Sequence, residues 1–194
     1  IDSRSVPPGF ADFRREFPQA PLFLGGFDDA LWARAQRLIM SPGVALAEPA
    51  IAAAVRNGAE AIGDIELFAR AARAPVVAIT GANGKSTVTT LVGEMVRDAG
   101  FEVRVGGNLG TPALDLLAES EPHFYVLELS SFQLETTHSL NAAAATVLNI
   151  SPDHMDRDRD VQEYASAKQR IYRGGGVMVI NADDDYVAAM IERS

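Results

Sequence analysis

Cysteine is absent from the 194 residues, which rules out a disulfide framework and any thiolate metal site and fits a reducing compartment. Positive charge is scarce. Against 26 Asp and Glu stand 17 Lys and Arg, and a net charge of −9 leaves no basic stripe for a nucleic-acid backbone, so a nucleic-acid partner is disfavoured. Long apolar runs are missing too. The longest run of small residues, Ala142 to Val147, is far too short to span a bilayer, and no basic-then-apolar leader opens the chain. No membrane insertion is expected, and the cytoplasm is the expected location. The remaining balance, 47% hydrophobic and 22% charged, is that of a soluble globular protein, with a length that suits one large domain or two small ones.

Among the features present, the stretch from Val76 to Thr90 is the most informative: Val-Val-Ala-Ile-Thr-Gly-Ala-Asn-Gly-Lys-Ser-Thr-Val-Thr-Thr. It predicts a buried strand, a tight glycine loop, and a helix that opens on Lys85, Ser86 and Thr87. Gly81 and Gly84 let backbone N–H groups turn toward polyphosphate oxygens, and the helix start adds unsatisfied donors and the positive end of a dipole. Lys85 then reaches the terminal phosphates, and the Ser86 hydroxyl is placed to ligate Mg²⁺. The standard phosphate loop has a further glycine where this chain has Ile79, so the match is to a shortened loop. Gly-Lys-Ser alone occurs by chance in surface loops; its setting between an apolar strand and a helix argues against that.

Up to about Ile62, short apolar runs end at turn residues: Leu22-Phe23-Leu24 at Gly25-Gly26, and Leu38-Ile39-Met40 at Ser41-Pro42-Gly43. These predict strands, and residues 28–37, 49–57 and 64–73 predict helices, with a domain boundary near Gly63 that divides residues 1–62 from 63–194. The second part alternates more regularly. Strands are expected at 76–80, 101–105, 124–129, 145–150 and 177–181, and helices at 85–99, 111–118, 131–138 and 160–172. The fold class is therefore α/β, with a mainly parallel sheet covered on both faces. The chain opens on Ile1 inside what reads as the end of a strand and stops at Ser194 just after the start of a helix, which suggests a piece of something longer.

In parallel sheets ligands gather at the carboxyl ends of the strands. Polar residues follow apolar runs at Thr80-Gly81, Gly107-Asn108, Glu128 with Ser130, and Asn149 through Asp156. Glu128 interrupts the run Phe124 to Leu129, where a buried carboxylate needs a cation or hydrogen bonds; a metal held against phosphates would serve, as would a helix-borne arginine. His154 follows a strand amid polar oxygens, either as a metal or substrate contact or as a solvated bystander, and Asp153 and Asp156 are alternatively helix caps. Lys168 shares a helix face with Tyr164, Ile171 and Tyr172. It either snorkels to water or, if enclosed, loses charge and becomes an amine able to form a carbamate with carbon dioxide.

Thr80 to Thr87, Gly106-Gly107-Asn108-Leu109-Gly110, Leu127-Glu128-Leu129-Ser130-Ser131-Phe132-Gln133-Leu134-Glu135, and Asn149 to Arg157 follow the order of motifs in the bacterial Mur ligases, and the chain resembles that family over essentially its whole length. The resemblance implies part of an N-terminal Rossmann-like domain for a uridine nucleotide followed by part of a central P-loop ATPase domain. It implies ATP contacts at Gly81, Asn83, Gly84, Lys85, Ser86 and Thr87, one Mg²⁺ at Ser86 and Glu128, and a second at His154 and a carbamylated Lys168, with Lys85, Lys168 and His154 as catalytic groups. Asn108, Ser130 and Gln133 match muramoyl-substrate contacts, and Ser3, Arg4, Ser41 and Gly43 resemble a uridine-diphosphate site. Ala82 stands where threonine is common, with little expected effect because backbone groups form the cradle.

The implied activity is ATP-dependent addition of D-glutamate to UDP-N-acetylmuramoyl-L-alanine through an acyl phosphate. The piece alone is expected to be inactive without the family's third domain. The alternatives are a folylpolyglutamate synthetase-like ligase, disfavoured by the Leu-Glu-Leu-Ser-Ser-Phe block, and a nucleotide-binding module without ligation chemistry.

Overall fold

The computed structural model describes residues 1–26, 32, 34–118, 120–151 and 161–191. The chain forms two compact units, one of residues 1–38 with 45–61 and one of residues 39–44 with 62–194. In the first, α1 (Phe10–Glu16) follows the Pro7-Pro8-Gly9 turn and buries none of its residues. Helix α2 (Pro49–Arg56) starts on a proline, whose missing N–H is no loss in a first turn, and buries Ala50, Ile51 and Ala54. The strand expected at 22–24 is reduced to one parallel bridge between Leu24 and Asp2. Half of the helix expected at 28–37 lies outside the described residues, and its last residue, Arg37, opens strand β1 (Arg37–Met40). Strand β2 (Glu60–Gly63), which no sequence signal announced, joins β1 in a two-stranded sheet.

The second unit is built on a five-stranded sheet of β3 (Val76–Thr80), β4 (Val103–Gly107), β5 (Phe124–Glu128), β6 (Ala144–Val147) and β7 (Val177–Ile180), in spatial order β4-β5-β3-β6-β7. All neighbours are parallel, as the alternating pattern predicts. The register aligns their ends: Ile79 pairs with Glu128, Gly107 with Glu128, Thr80 with Val147, and Val147 with Ile180. The chain travels from β3 out to β4, returns through β5, and crosses to β6 on the other side, so the switch in direction falls at β3. That is where a ligand crevice is expected in such a sheet. The strands bury Ala78, Val126, Leu127 and Val147 completely, and α3 (Asp64–Ala71) adds Ile65 and Phe68, the latter edge-on to Tyr125 at 5.0 Å. Each of the larger of these side chains contributes about 1.5–3 kcal/mol by leaving water.

Helix α4 (Lys85–Asp98) ends within a residue of expectation, and Gly93 lets it approach Val105 so closely that an added Cβ would lie 2.5 Å from Cγ2. Several expectations shift, among them the strand expected at 101–105, which runs two residues later as β4. The helix at 111–118 is only a 3-10 turn, Asp115–Leu117, because Thr111 is drawn back to the sheet, its carbonyl accepting from Gly107 N–H at 2.9 Å. Strand β6 stops at Val147 rather than 150, since Ile150 N–H leaves the ladder for Asp184 Oδ2 at 2.9 Å. Helix α5 (Ser131–Glu135) stops before 138 because the Thr137 hydroxyl takes the Gln133 carbonyl at 2.7 Å. The helix expected at 160–172 is α6 (Val161–Gln169) with a 3-10 turn, Arg170–Tyr172, and α7 (Asp185–Ala188) closes the described chain. Among the described residues no helix is long and apolar enough to cross a membrane.

Residues 63–66 pin the segment after β5. Gly63 N–H donates to Thr136 O at 3.2 Å, and Glu66, 1% exposed, accepts from the N–H groups of His138 and Ser139 at 2.7 and 2.8 Å and from Arg70 Nε at 2.8 Å. Burial raises the Glu66 pKa, but the two backbone donors and Arg70 outweigh it and hold the carboxyl at about 2, against an ordinary 4.5. A depressed carboxyl pKa stabilises the fold fully above the unfolded value and loses that contribution as pH falls toward the folded one. Glu66→Gln should therefore destabilise the protein by on the order of 3 kcal/mol at pH 7, and the gap to wild type should narrow between pH 4.5 and 2 in chemical denaturation. A gap independent of pH would refute this role.

Candidate functional site

From Thr80 the chain turns through Gly81, Ala82 and Asn83 to Gly84, which caps α4 at φ 77° and ψ 0°, a left-handed conformation that glycine adopts without strain. The N–H groups of Lys85, Ser86 and Thr87 then fall in a first helical turn, where no intrahelical acceptor exists and the dipole is positive. The loop carbonyls all have donors. Lys168 Nζ donates to Gly81 O at 3.0 Å, Lys85 Nζ to Ala82 O at 3.1 Å, and Asn149 Nδ2 to Asn83 O at 3.1 Å. An anion approaching the loop therefore meets amides rather than unpaired carbonyl dipoles.

Glu128 ends β5 beside the loop and is 2% exposed. Each carboxylate oxygen has a partner: Ser86 Oγ donates to Oε2 at 2.7 Å, and Asn108 Nδ2 to Oε1 at 2.8 Å. No helix-borne arginine is needed. Asn108 is itself fixed, its N–H donating to Glu128 O at 2.8 Å. Gly107 makes this turn possible with φ 100°, and a Cβ there would collide with Glu128 O. Ser86 and Glu128 thus present a hydroxyl and a carboxylate together, hard oxygen donors of the kind that suit Mg²⁺. Among the described residues no group of three or more His, Cys, Asp or Glu could hold a metal.

Lys168 does not snorkel. It is 2% exposed, its Nζ lies 3.4 Å from Thr80 Oγ1 and 4.5 Å from the centre of the Tyr164 ring, and Thr80 Oγ1 in turn donates to Leu129 O at 2.7 Å. The helix that carries it packs against α5 and delivers the amine to the carbonyl of Gly81 at the start of the loop. His154, with Asp153 and Asp156, lies outside the described residues.

Ser130 and Gln133 meet each other in a capping box. Gln133 N–H donates to Ser130 Oγ at 3.2 Å, Ser130 N–H donates to Gln133 Oε1 at 3.1 Å, and Gln133 Nε2 reaches Asp64 Oδ2 at 3.0 Å. In the first unit, Arg4 makes a 2.6 Å ion pair with Asp2, and Ser3 lies between them in sequence. Ser41 and Gly43 belong to the second unit, in a turn closed by Val44 N–H to Ser41 O at 3.0 Å.

The bonding of two participants escaped the sequence reading. Asn149 stood in the list of polar strand ends, but no spacing rule ties it to a loop more than sixty residues earlier, at |i−j| 66. Asp64 reads locally as an ordinary acidic residue in a first helical turn, and its bond to Gln133 spans |i−j| 69.

The geometry is that of a glycine loop closing onto a helix start at the switch point of a parallel sheet, and the chain belongs to the Mur ligase family. The Mur ligase middle domain matches residues 79–194, and the Mur ligase MurD-like N-terminal domain matches residues 1–63. A UDP-N-acetylmuramoylalanine--D-glutamate ligase of Nitrosococcus oceani is 61% identical over 192 residues, which is 99% of this chain and 42% of that protein. The chain thus spans about two fifths of the length of the curated relatives it matches. Among solved structures, a pseudomurein peptide ligase type C from Methanothermus fervidus matches with TM-score 0.51 and 26% identity over 96% of this chain and 39% of that one. Escherichia coli FolC in complex with DHPP and ADP matches with TM-score 0.51 over 69% of this chain and 45% of that one, but at 17% identity the likeness is one of fold alone.

Replacing Gly107 tests the local design. Gly107→Ala adds strain at φ 100° and a clash with Glu128 O, and should destabilise by about 2 kcal/mol or more, lowering Tm by ~4 °C or more. An unchanged melting temperature would mean that the turn relaxes freely and does not fix Glu128.

Proposed function

We propose that this chain forms the nucleotide-activating part of an ADP-forming ligase that joins D-glutamate to UDP-N-acetylmuramoyl-L-alanine in the cytoplasmic synthesis of peptidoglycan precursors. The observation that carries the reading is the convergence of the phosphate loop, Ser86 and the buried Glu128 at the carboxyl ends of β3 and β5. The identity to D-glutamate ligases supports the choice of substrates.

In this reading residues 1–62 are part of a Rossmann-like domain for the uridine nucleotide, with Ser3, Arg4, Ser41 and Gly43 as contacts, and residues 63–194 are part of the ATPase domain. Amides at the start of α4 and the Lys85 ammonium hold the phosphates of ATP. An alanyl carboxylate oxygen attacks the γ-phosphorus, the bond to the bridging oxygen breaks, and ADP leaves. The D-glutamate amine then attacks the acyl carbon of the acyl phosphate. The tetrahedral species expels inorganic phosphate and the nitrogen loses a proton, leaving the amide. Two anions must meet, so positive charge at Lys85 lowers the barrier as charge builds on the transferring group. Magnesium, held by Ser86 and Glu128, supplies further neutralisation of the phosphates when bound.

A second magnesium site at His154 and a carbamylated Lys168 belongs to the same proposal. The enclosure of Lys168 beside the loop is what supports it. Asn108, Ser130 and Gln133 are assigned to the muramoyl substrate, with Asn108 adjacent to the loop through Glu128.

The test is Lys85→Ala in the full-length ligase carrying this chain, read by phosphate release with ATP, Mg²⁺, UDP-N-acetylmuramoyl-L-alanine and D-glutamate. Turnover should fall by about 10²–10³-fold while Tm stays near wild type, because among the described residues Lys85 Nζ bonds only a loop carbonyl of its own turn. Turnover like wild type would sink the phosphate-loop assignment.

A further inference from the structure

The loop's amides are not equivalent, and Asn149 is what divides them. Its backbone carbonyl accepts from Ala82 N–H at 2.9 Å, its Oδ1 accepts from Asn83 N–H at 2.8 Å, and its Nδ2 donates to Asn83 O at 3.1 Å. We propose that Asn149 is a positioning residue for the nucleotide phosphates, acting through Asn83: it reserves the amides of Ala82 and Asn83 for the protein and leaves the grip on phosphate to the amides of Gly84 through Thr87. The proposal rests on the nucleotide site proposed above.

The reason lies in the planarity of the peptide unit, which fixes C=O and N–H on opposite sides. The unit between Gly81 and Ala82 is held at both ends, by Lys168 Nζ on the carbonyl and Asn149 O on the amide. The unit between Ala82 and Asn83 is also held at both ends, by Lys85 Nζ and Asn149 Oδ1. The next unit is held only through the Asn83 carbonyl, which Asn149 Nδ2 draws to itself. Its amide, that of Gly84, therefore points away from Asn149 and is the first after those of Ala82 and Asn83 with no protein acceptor among the described residues. The first-turn amides of α4 follow it. Without Asn149 the last of these planes is free to rotate, and the Asn83 carbonyl can swing toward the phosphates, where it would repel them.

Two measurements on the full-length protein carrying this chain decide the matter, with Mg²⁺–ADP as the probe. Amide hydrogen exchange on the unaltered protein should find Ala82 and Asn83 protected already without nucleotide, and Gly84 to Thr87 gaining protection only when it is added. Ala82 and Asn83 gaining protection to the same degree as Gly84 would overturn the division. In calorimetry, Asn149→Ala should weaken ADP about tenfold, the worth of one to two hydrogen bonds. In turnover it should raise the KM for ATP with little change in the KM for the muramoyl substrate; a purely structural residue would move both or neither. Affinity and KM like wild type would refute the proposal while leaving the ligase reading intact. Nucleotide binding with the predicted exchange pattern but no ligation would refute the ligase reading and leave this one. If Asn149→Ala does not fold, the exchange pattern of the unaltered protein decides, and a failure of that protein to bind nucleotide at all overturns both.

Discussion

A carboxylate at the inner end of a strand, almost fully removed from water, is the constraint to which the rest of the site answers. Glu128 is in register with both Ile79 and Gly107, so its side chain lies where β3, β4 and β5 end together. Leaving such a group without partners would cost several kcal/mol. Ser86 and Asn108 satisfy one oxygen each, which ties the start of α4 and the turn after β4 to a single atom group. The small residues around it serve the same end: Gly107 because a Cβ would meet the Glu128 carbonyl, Gly84 because the loop must reverse sharply before α4. Hydrogen-bond donors suffice for Glu128 as it stands, yet a hydroxyl and a carboxylate at 2.7 Å beside a cluster of free amides are also the groups that a phosphate-bound divalent cation seeks.

Around this centre, charge is placed by long-range contacts rather than by the loop alone. Lys168 comes from α6 to hold Gly81 O and approaches Thr80 Oγ1, while Asn149 comes from the end of β6 to hold Ala82 and Asn83. The sheet's crossing from β5 through β3 to β6 is what brings these side chains to one loop. The opposite flank is steadied by residues 63–66, whose bonds to Gln133, Thr136, His138 and Ser139 fix the helix that follows Glu128.

Much of the architecture was legible because it depends on local pattern. The run Val76 to Thr80 and the helix from Lys85 were readable from apolar periodicity and glycine placement, and the need of Glu128 for a partner from the chemistry of a carboxylate in an apolar strand, while its placement beside Ser86 was implied only by the family resemblance. Where the reading strayed, a distant partner had intervened. Thr111 is recruited by Gly107, Ile150 by Asp184, and the end of α5 by threonine hydroxyls, and none of these competitors is visible in a local window. Strand β2 was missed because Glu-Ala-Ile-Gly has too short an apolar stretch to stand out, and its pairing with β1 rather than its own composition makes it a strand. On its residues alone Lys168 read more readily as a snorkelling lysine than as an enclosed one, and packing decided for enclosure.

The central claim, that Glu128 and Ser86 form a magnesium–nucleotide site with the loop, is tested most directly by the magnesium dependence of ADP binding in wild type and in Glu128→Gln. The account predicts that Mg²⁺ strengthens ADP binding to wild type about tenfold or more and that the variant loses this dependence while still binding metal-free ADP, since the loop amides and Lys85 remain and a nearby negative charge is gone. An equal magnesium dependence in both proteins would contradict it.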